Sequence, residues 1–293
     1  MEKQLLNLLN NENARKQYRY LLIDNLVSLS YFHILSIQSL KEELGKEAIH
    51  IIPRPDLTHD LDHCPKLVVI AKPDEQLNEK FVHFISKELQ NDGSLQKRYI
   101  CCCMVSENEP ETLSKQIINI GLKLATLNKT RFVPFYEPFK LFLLQEGNKI
   151  CFDWLPYLLN CCSTYCYTSF TNRLQIIQSL SSIQDPSELF ITEEVKFYLK
   201  ESTKLYHLTV AWQNICGMQN RHIQDSDILS LAECYRTAKI AGLKNTRDLF
   251  TLSLLLKKRP KLLEQKEVNE AVNESIEYPG TLDELLIQIE INN

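Results

Sequence analysis

The residues best equipped for chemistry in this chain are its histidines and cysteines. His59 and His63 stand four apart with Cys64 adjacent, a spacing that would align both imidazoles on one face of a helix. Cys161-Cys162-x-x-x-Cys166 adds thiols, and Cys101-Cys102-Cys103 adds three more. These side chains are zinc ligands by type, but zinc sites usually draw ligand pairs from turns, two to four residues apart. A polar loop with solvated histidines, and cysteines packed as small apolar groups, fits the spacing better. No metal and no cofactor is therefore expected. A thiol nucleophile would need a lowered pKa beside a base, and no signature marks one. Asp24 and Glu137 are a candidate acid and base. Both fall at the ends of expected strands, where capping a helix or lying at a solvated edge is the favoured role. No phosphate loop, dinucleotide glycine pattern or nucleophile elbow is present. The chain is expected to be no enzyme.

Charge narrows the partners. The net charge of −4 gives no general field for nucleic acid or anionic lipid. The basic cluster Lys257-Lys258-Arg259-x-Lys261 suits a helix C-terminus. It is followed by Glu264, Glu267, Glu270, Glu274 and Glu277, which oppose nucleic-acid binding. No run approaches the roughly 18 uncharged apolar residues of a membrane helix. Met1-Glu2-Lys3-Gln4 leads into an Asn-rich amphipathic run, unlike a signal peptide. A cytoplasmic protein with free thiols is expected.

The elements that must position these side chains centre on residues 131–144. Phe132, Val133, Phe135 and Tyr136 read as a short aromatic strand. Pro138 biases Glu137 toward extended geometry and suits the first position of a helix carrying Leu141, Phe142 and Leu144. Upstream, residues 3–19 read as a helix, and Tyr18 to Asp24 as a strand ending in a carboxylate. Leu29 to Leu44 reads as a helix stopped by Gly45, and Ile49 to Ile52 as a strand closed by prolines. Residues 53–65 read as a polar loop, Lys66 to Ala71 as a buried strand, and Asn78 to Gln90 as a helix stopped at Asp92-Gly93. Arg98 to Val105 is the next strand and Glu111 to Leu127 a long helix. Phe152-Asp153-Trp154-Leu155 leads to a Cys- and Tyr-rich run over 161–167 that suits a further strand. This alternation predicts an α+β or α/β N-terminal lobe, with a small mixed sheet flanked by helices.

Beyond Pro186 the strand signals stop. Helices are expected over 193–217, after a cap at Asp225 or Ser226, after an Asn245–Asp248 capping pair, over 264–276 and over 282–289. Gly242 should stop the second of these. The expected domains are residues 1–185, the α/β lobe, and 186–293, an all-α lobe. Only 7 of the 293 residues are Gly, which suits a helix-rich chain.

Several blocks, in order, resemble the effector adaptor–chaperone family of the bacterial type VI secretion system. They are Tyr20-Leu21-Leu22-Ile23-Asp24, then His63-Cys64-Pro65-Lys66-Leu67-Val68-Val69-Ile70, then the strand ending at Ser106 with Leu113 to Leu122. Phe135-Tyr136-Glu137-Pro138 is similar to the family's Phe-Tyr-Asp-Pro corner. Ala238-x-x-x-Gly242-Leu243 and Thr246-x-Asp248-Leu249 resemble its helical lobe. The resemblance covers about residues 18–260. It implies a protein that binds a toxic effector and loads it onto the trimeric spike protein. It also implies structural roles for Asp24, Phe135, Tyr136, Glu137, Pro138 and Gly242. Glu137 departs from the usual Asp, and Pro134 and Phe139 stand where the family often has Arg, so the corner is expected to rest on aromatic packing. The excess of leucine in 249–256 suggests a groove for an effector segment, built from Tyr235, Leu249, Phe250, Leu252, Leu254 and Leu255. The competing readings are another protein-binding scaffold and a thiol- or zinc-dependent enzyme.

Overall fold

A computed structural model describes residues 1–27, 29–90, 97–149, 154–179 and 191–292. The chain divides into two compact units, Met1–Ser202 and Thr203–Asn293. The first is α+β and the second helical, as the residue patterns predict. The expected boundary near residue 185, the helix stop at Asp92-Gly93, and Phe152-Asp153 lie outside the described residues.

The first unit is built on a six-stranded sheet. Its strands are β1 (Tyr18–Ile23), β2 (Ile49–Ile51), β3 (Lys66–Ala71), β4 (Ile100–Ser106), β5 (Thr164–Thr168) and β6 (Leu174–Gln178), in the order β2-β3-β1-β4-β5-β6. Every pairing among them is antiparallel, rather than mixed. The strand–helix alternation has a physical source. Helix α4 (Glu79–Gln90) carries the chain from β3 to β4, which run the same way, but β1 lies between them and opposes both. The crossover is a split βαβ unit, so its sequence reads as α/β while its ladders are antiparallel.

β4 and the Tyr20–Ile23 part of β1 are covered on both faces, which is why they are apolar runs, while the buried Arg19 donates to the Arg15 and Gln17 carbonyls. On one face Leu21, Ile23, Val68, Ile70, Cys103 and Cys166 form a core with Leu5 and Leu9 of α1 (Glu2–Asn10) and with Phe81, Ile85 and Leu89 of α4. On the other, Tyr20, Leu22, Leu67, Cys102, Met104 and Tyr165 are equally buried. Helix α5 (Pro110–Asn128) packs on β2 and β3. Its Gly121 touches Phe132, where an added Cβ would come within 2.3 Å of the ring.

Three expectations in this unit are corrected. Residues 3–19 hold two helices, because the Asn11 side chain accepts from the Ala14 N–H and starts α2 (Glu12–Arg15) afresh. The helix expected from Leu29 begins only at Ile37, as α3 (Ile37–Leu44). The Ser36 side chain caps it, and turn hydrogen bonds from His33 to Ser30 and from Ser36 to His33 occupy the segment before it. Tyr31 and Phe32 are consequently exposed, at 64% and 91%. Residues 132–136 form no strand. The Val133 N–H donates to the Gly121 carbonyl at 3.2 Å, and the Glu137 N–H to that of Pro134 at 3.1 Å. The Phe135 N–H donates to the Val133 carbonyl at 2.8 Å, so the segment's hydrogen bonds go to a helix carbonyl and to local turns. Pro138 does open a helix, α6 (Pro138–Asn148).

Short α7 (Leu155–Leu158) lies near β6. Helix α8 (Glu193–Met218) follows, then α9 (Asp225–Ile240), α10 (Thr246–Lys258), α11 (Lys266–Glu277) and α12 (Leu282–Asn292). Gln224, not Asp225 or Ser226, caps α9, in a reciprocal box with Asp227. Asn245 caps α10, but Asp248 is not its partner. The Asp248 carboxylate instead accepts the N–H groups of Gly280 and Leu282, at 2.6 and 3.1 Å, and so caps α12. Gly242 stops α9 with φ +98°, a conformation that disfavours any Cβ.

Candidate functional site

The chemistry-bearing side chains of the first unit gather where β1 ends and α6 begins. Ile23 is the last residue of β1, and the Asp24 N–H donates to the Tyr99 carbonyl at 2.9 Å. The Asp24 carboxylate turns inward and accepts the Leu26 N–H at 3.1 Å. It is 1% exposed. Arg54 enters from the loop after β2, between Pro53 and Pro55. Its Nη1 donates to the Tyr136 hydroxyl at 3.2 Å, and its Nε and Nη2 grip the Asp56 carboxylate at 3.1 and 2.7 Å. The guanidinium also lies 5.3 Å from the centre of the Phe132 ring. Glu137, at the α6 N-cap, accepts Lys97 at 2.9 Å and Lys140, one turn along α6, at 3.4 Å.

The corner is therefore an ion network as well as an aromatic one. The expectation of packing alone is overturned, because Arg54, Lys97 and Lys140 supply the cations from positions outside the motif. Burial pushes the Asp24 carboxyl up; the Leu26 N–H, Lys97 and Arg54 oppose this, and the nearby Glu137 charge adds to it. Burial would also raise Glu137, but Lys140 and Lys97 hold it below the usual carboxylate range. Arg54 likewise more than offsets the burial of Asp56 and keeps it low. Lys140 is lowered by burial, with Lys97 and Arg54 adding to that and Glu137 opposing it.

Asp24 and Glu137, separated by more than a hundred residues in sequence, thus act on each other electrostatically and are driven in opposite directions. Such divergence is what general acid–base pairs show. Here both Glu137 oxygens are engaged by lysines and one Asp24 oxygen by a main-chain N–H. Glu137 is thus paired at both oxygens, and Asp24 is held at one.

The candidate metal ligands are not brought together. Residues 61–63 form a 3-10 turn, and His63 binds Asp60 at 2.6 Å. Among the described residues no cluster of three or more His, Cys, Asp or Glu could hold a metal ion. Cys101 and Cys102 are fully enclosed, and burial pushes their thiols up. The Cys161 and Cys162 sulfurs lie 3.7 Å apart, and that contact lowers the Cys161 thiol.

No protein-family model, curated protein or solved structure matches this chain.

In the helical unit the structure places Tyr235, Leu249 and Leu252 in the interior, at 0%, 1% and 0% exposure. Phe250, Leu254 and Leu255 are half-buried. The Tyr235 and Phe250 rings meet edge to face at 6.4 Å. The exposed apolar side chains of this unit lie elsewhere, at Met218, Ile240, Ile276, Tyr278 and Ile287. Sequence reasoning missed these, and it missed Arg54, Asp56, Lys97 and Lys140. Lys140 had a signal, its place three residues after Glu137 on an expected helix. Arg54 and Lys97 had none, because loop residues declare their partners only through the fold. Among the described residues no helix is long and apolar enough to cross a membrane.

Proposed function

We propose that this chain is a cytoplasmic, non-enzymatic adaptor that binds a toxic effector and loads it onto the spike protein of a type VI secretion machine. The observation that carries the reading is the corner. The carboxylate that ends the first strand, the Phe135-Tyr136-Glu137-Pro138 turn and the Pro138-led helix are joined in one network within an α+β unit. A helical unit follows in the chain, which is the order the family resemblance implies. The pairing of both Glu137 oxygens with lysines, and the raised Cys101 and Cys102 thiols, support a binding role over acid–base chemistry at this corner or nucleophilic chemistry at those two thiols.

Effector contact falls to the half-buried Phe250, Leu254 and Leu255, with Leu249, Leu252 and Tyr235 as the floor that shapes them. Affinity purification of the tagged full chain from its native host, followed by mass spectrometry, tests both statements. A toxin and a trimeric spike protein should co-purify, and Leu254→Asp with Leu255→Asp should release the toxin while leaving the fold intact by circular dichroism. Recovery of neither protein sinks the adaptor reading. Undiminished toxin capture by the double variant sinks only the assignment of the surface.

A further inference from the structure

Among the described residues the sheet ends differently at its two sides. At one edge β2 is three residues long and is followed by Pro53 and Pro55, features that blunt an edge against pairing. At the other edge β6 reads Leu174-Gln175-Ile176-Ile177-Gln178, with no charge and no proline, and it pairs with β5 through five positions without a register shift. A regular, uncharged edge of this kind is a template for another strand.

The register fixes which groups it offers. The Ser169 N–H donates to the Arg173 carbonyl at 2.8 Å and the Ser179 N–H to that of Ser163 at 3.2 Å. Antiparallel pairing alternates, so Gln175 and Ile177 also turn their main chain toward β5, while Leu174, Ile176 and Gln178 turn theirs outward. The Leu174 and Ile176 side chains pack on the core but are only partly covered.

We infer that this edge pairs with the same edge of a second copy of the chain, antiparallel and two-fold about Ile176. In that register Ile176 faces its own counterpart, and Leu174 faces Gln178 of the copy in both directions. Each outward-facing residue exchanges both of its hydrogen bonds. On the opposite face Gln175 meets Ile177. No like charges meet anywhere along the strand, and the added strand covers the open halves of Leu174 and Ile176. Because β6 carries no charge, its own copy meets no like charge in this register, which is what admits a second copy. An interface built on one short edge is small, so the dimer is weak, with a dissociation constant on the order of 100 μM.

Analytical ultracentrifugation of the full chain up to about 1 mM should show a reversible monomer–dimer equilibrium. Gln178→Pro removes an outward N–H at an exposed edge position where proline is tolerated. It should weaken dimerisation roughly tenfold or more while circular dichroism and Tm stay unchanged. Ile176→Lys sets two charges face to face across the axis and should also give monomer. A readout without substitution is amide exchange: the Leu174, Ile176 and Gln178 N–H groups should slow as concentration rises. A chain that stays monomeric throughout overturns the inference. So does a dimer that both variants and those amides ignore, since it would use another surface.

Discussion

Glu137 is the residue on which the corner's electrostatics turn. It sits 18% exposed between Lys97 and Lys140, so its ion pairs are partly screened and worth less than fully buried ones. Glu137→Gln should lower unfolding free energy by about 2 kcal/mol at pH 7, read by urea denaturation. The sign follows from its lowered pKa. A carboxylate lower in the folded than in the unfolded state stabilises above the unfolded value, and that contribution fades as pH falls through the folded one. The gap between wild type and variant should therefore be full at neutral pH and close below about pH 4. A gap independent of pH would mean that the lost stability is packing, not charge. Asp24 has the opposite sign: its raised pKa makes ionisation costly, so its contribution is present at low pH and is lost as pH rises through the folded value. The corner's two carboxylates thus oppose each other across the acid range.

Elements were legible in proportion to how much of their order is local. Lys66 to Ala71 is strand β3 with the expected bounds, because both of its faces are buried and the run from Leu67 onward is apolar. Helices α5, α9 and α10 follow their 3.6-residue spacing. Residues 29–36 failed because Ser36 caps the helix late and turn bonds consume the chain before it. Residues 132–136 form no strand because their N–H groups go to the Gly121 carbonyl and to local turns, and those partners are not visible in strand propensity. Asp248 was placed correctly on a helix and given the wrong partner. Its cap spans more than thirty residues to Gly280 and Leu282, which spacing cannot show. Asp248→Ala should lower stability by about 1–2 kcal/mol through loss of the α12 cap. Hydrogen exchange should then rise first in α12. Exchange that rises first in α10 would instead return Asp248 to the capping role that sequence suggested.

At the scale of the whole molecule, composition and periodicity disclosed an α+β unit followed by helices, and the structure has that arrangement. The antiparallel sheet was hidden, because a split crossover has the same order of elements as a parallel one. The ion network was hidden for a related reason: Arg54, Lys97 and Lys140 come from a loop, a strand approach and a helix, and only their convergence makes a site. The proposed role of the whole molecule is the loading of a toxic effector. The most direct test is deletion of the gene in its native host, with secretion of the co-purifying toxin and of the spike protein measured side by side. An adaptor that loads the toxin should, when deleted, abolish toxin secretion while spike-protein secretion persists, and re-expressing the chain should restore the toxin. Toxin secretion that continues undiminished in the deletion strain would contradict it.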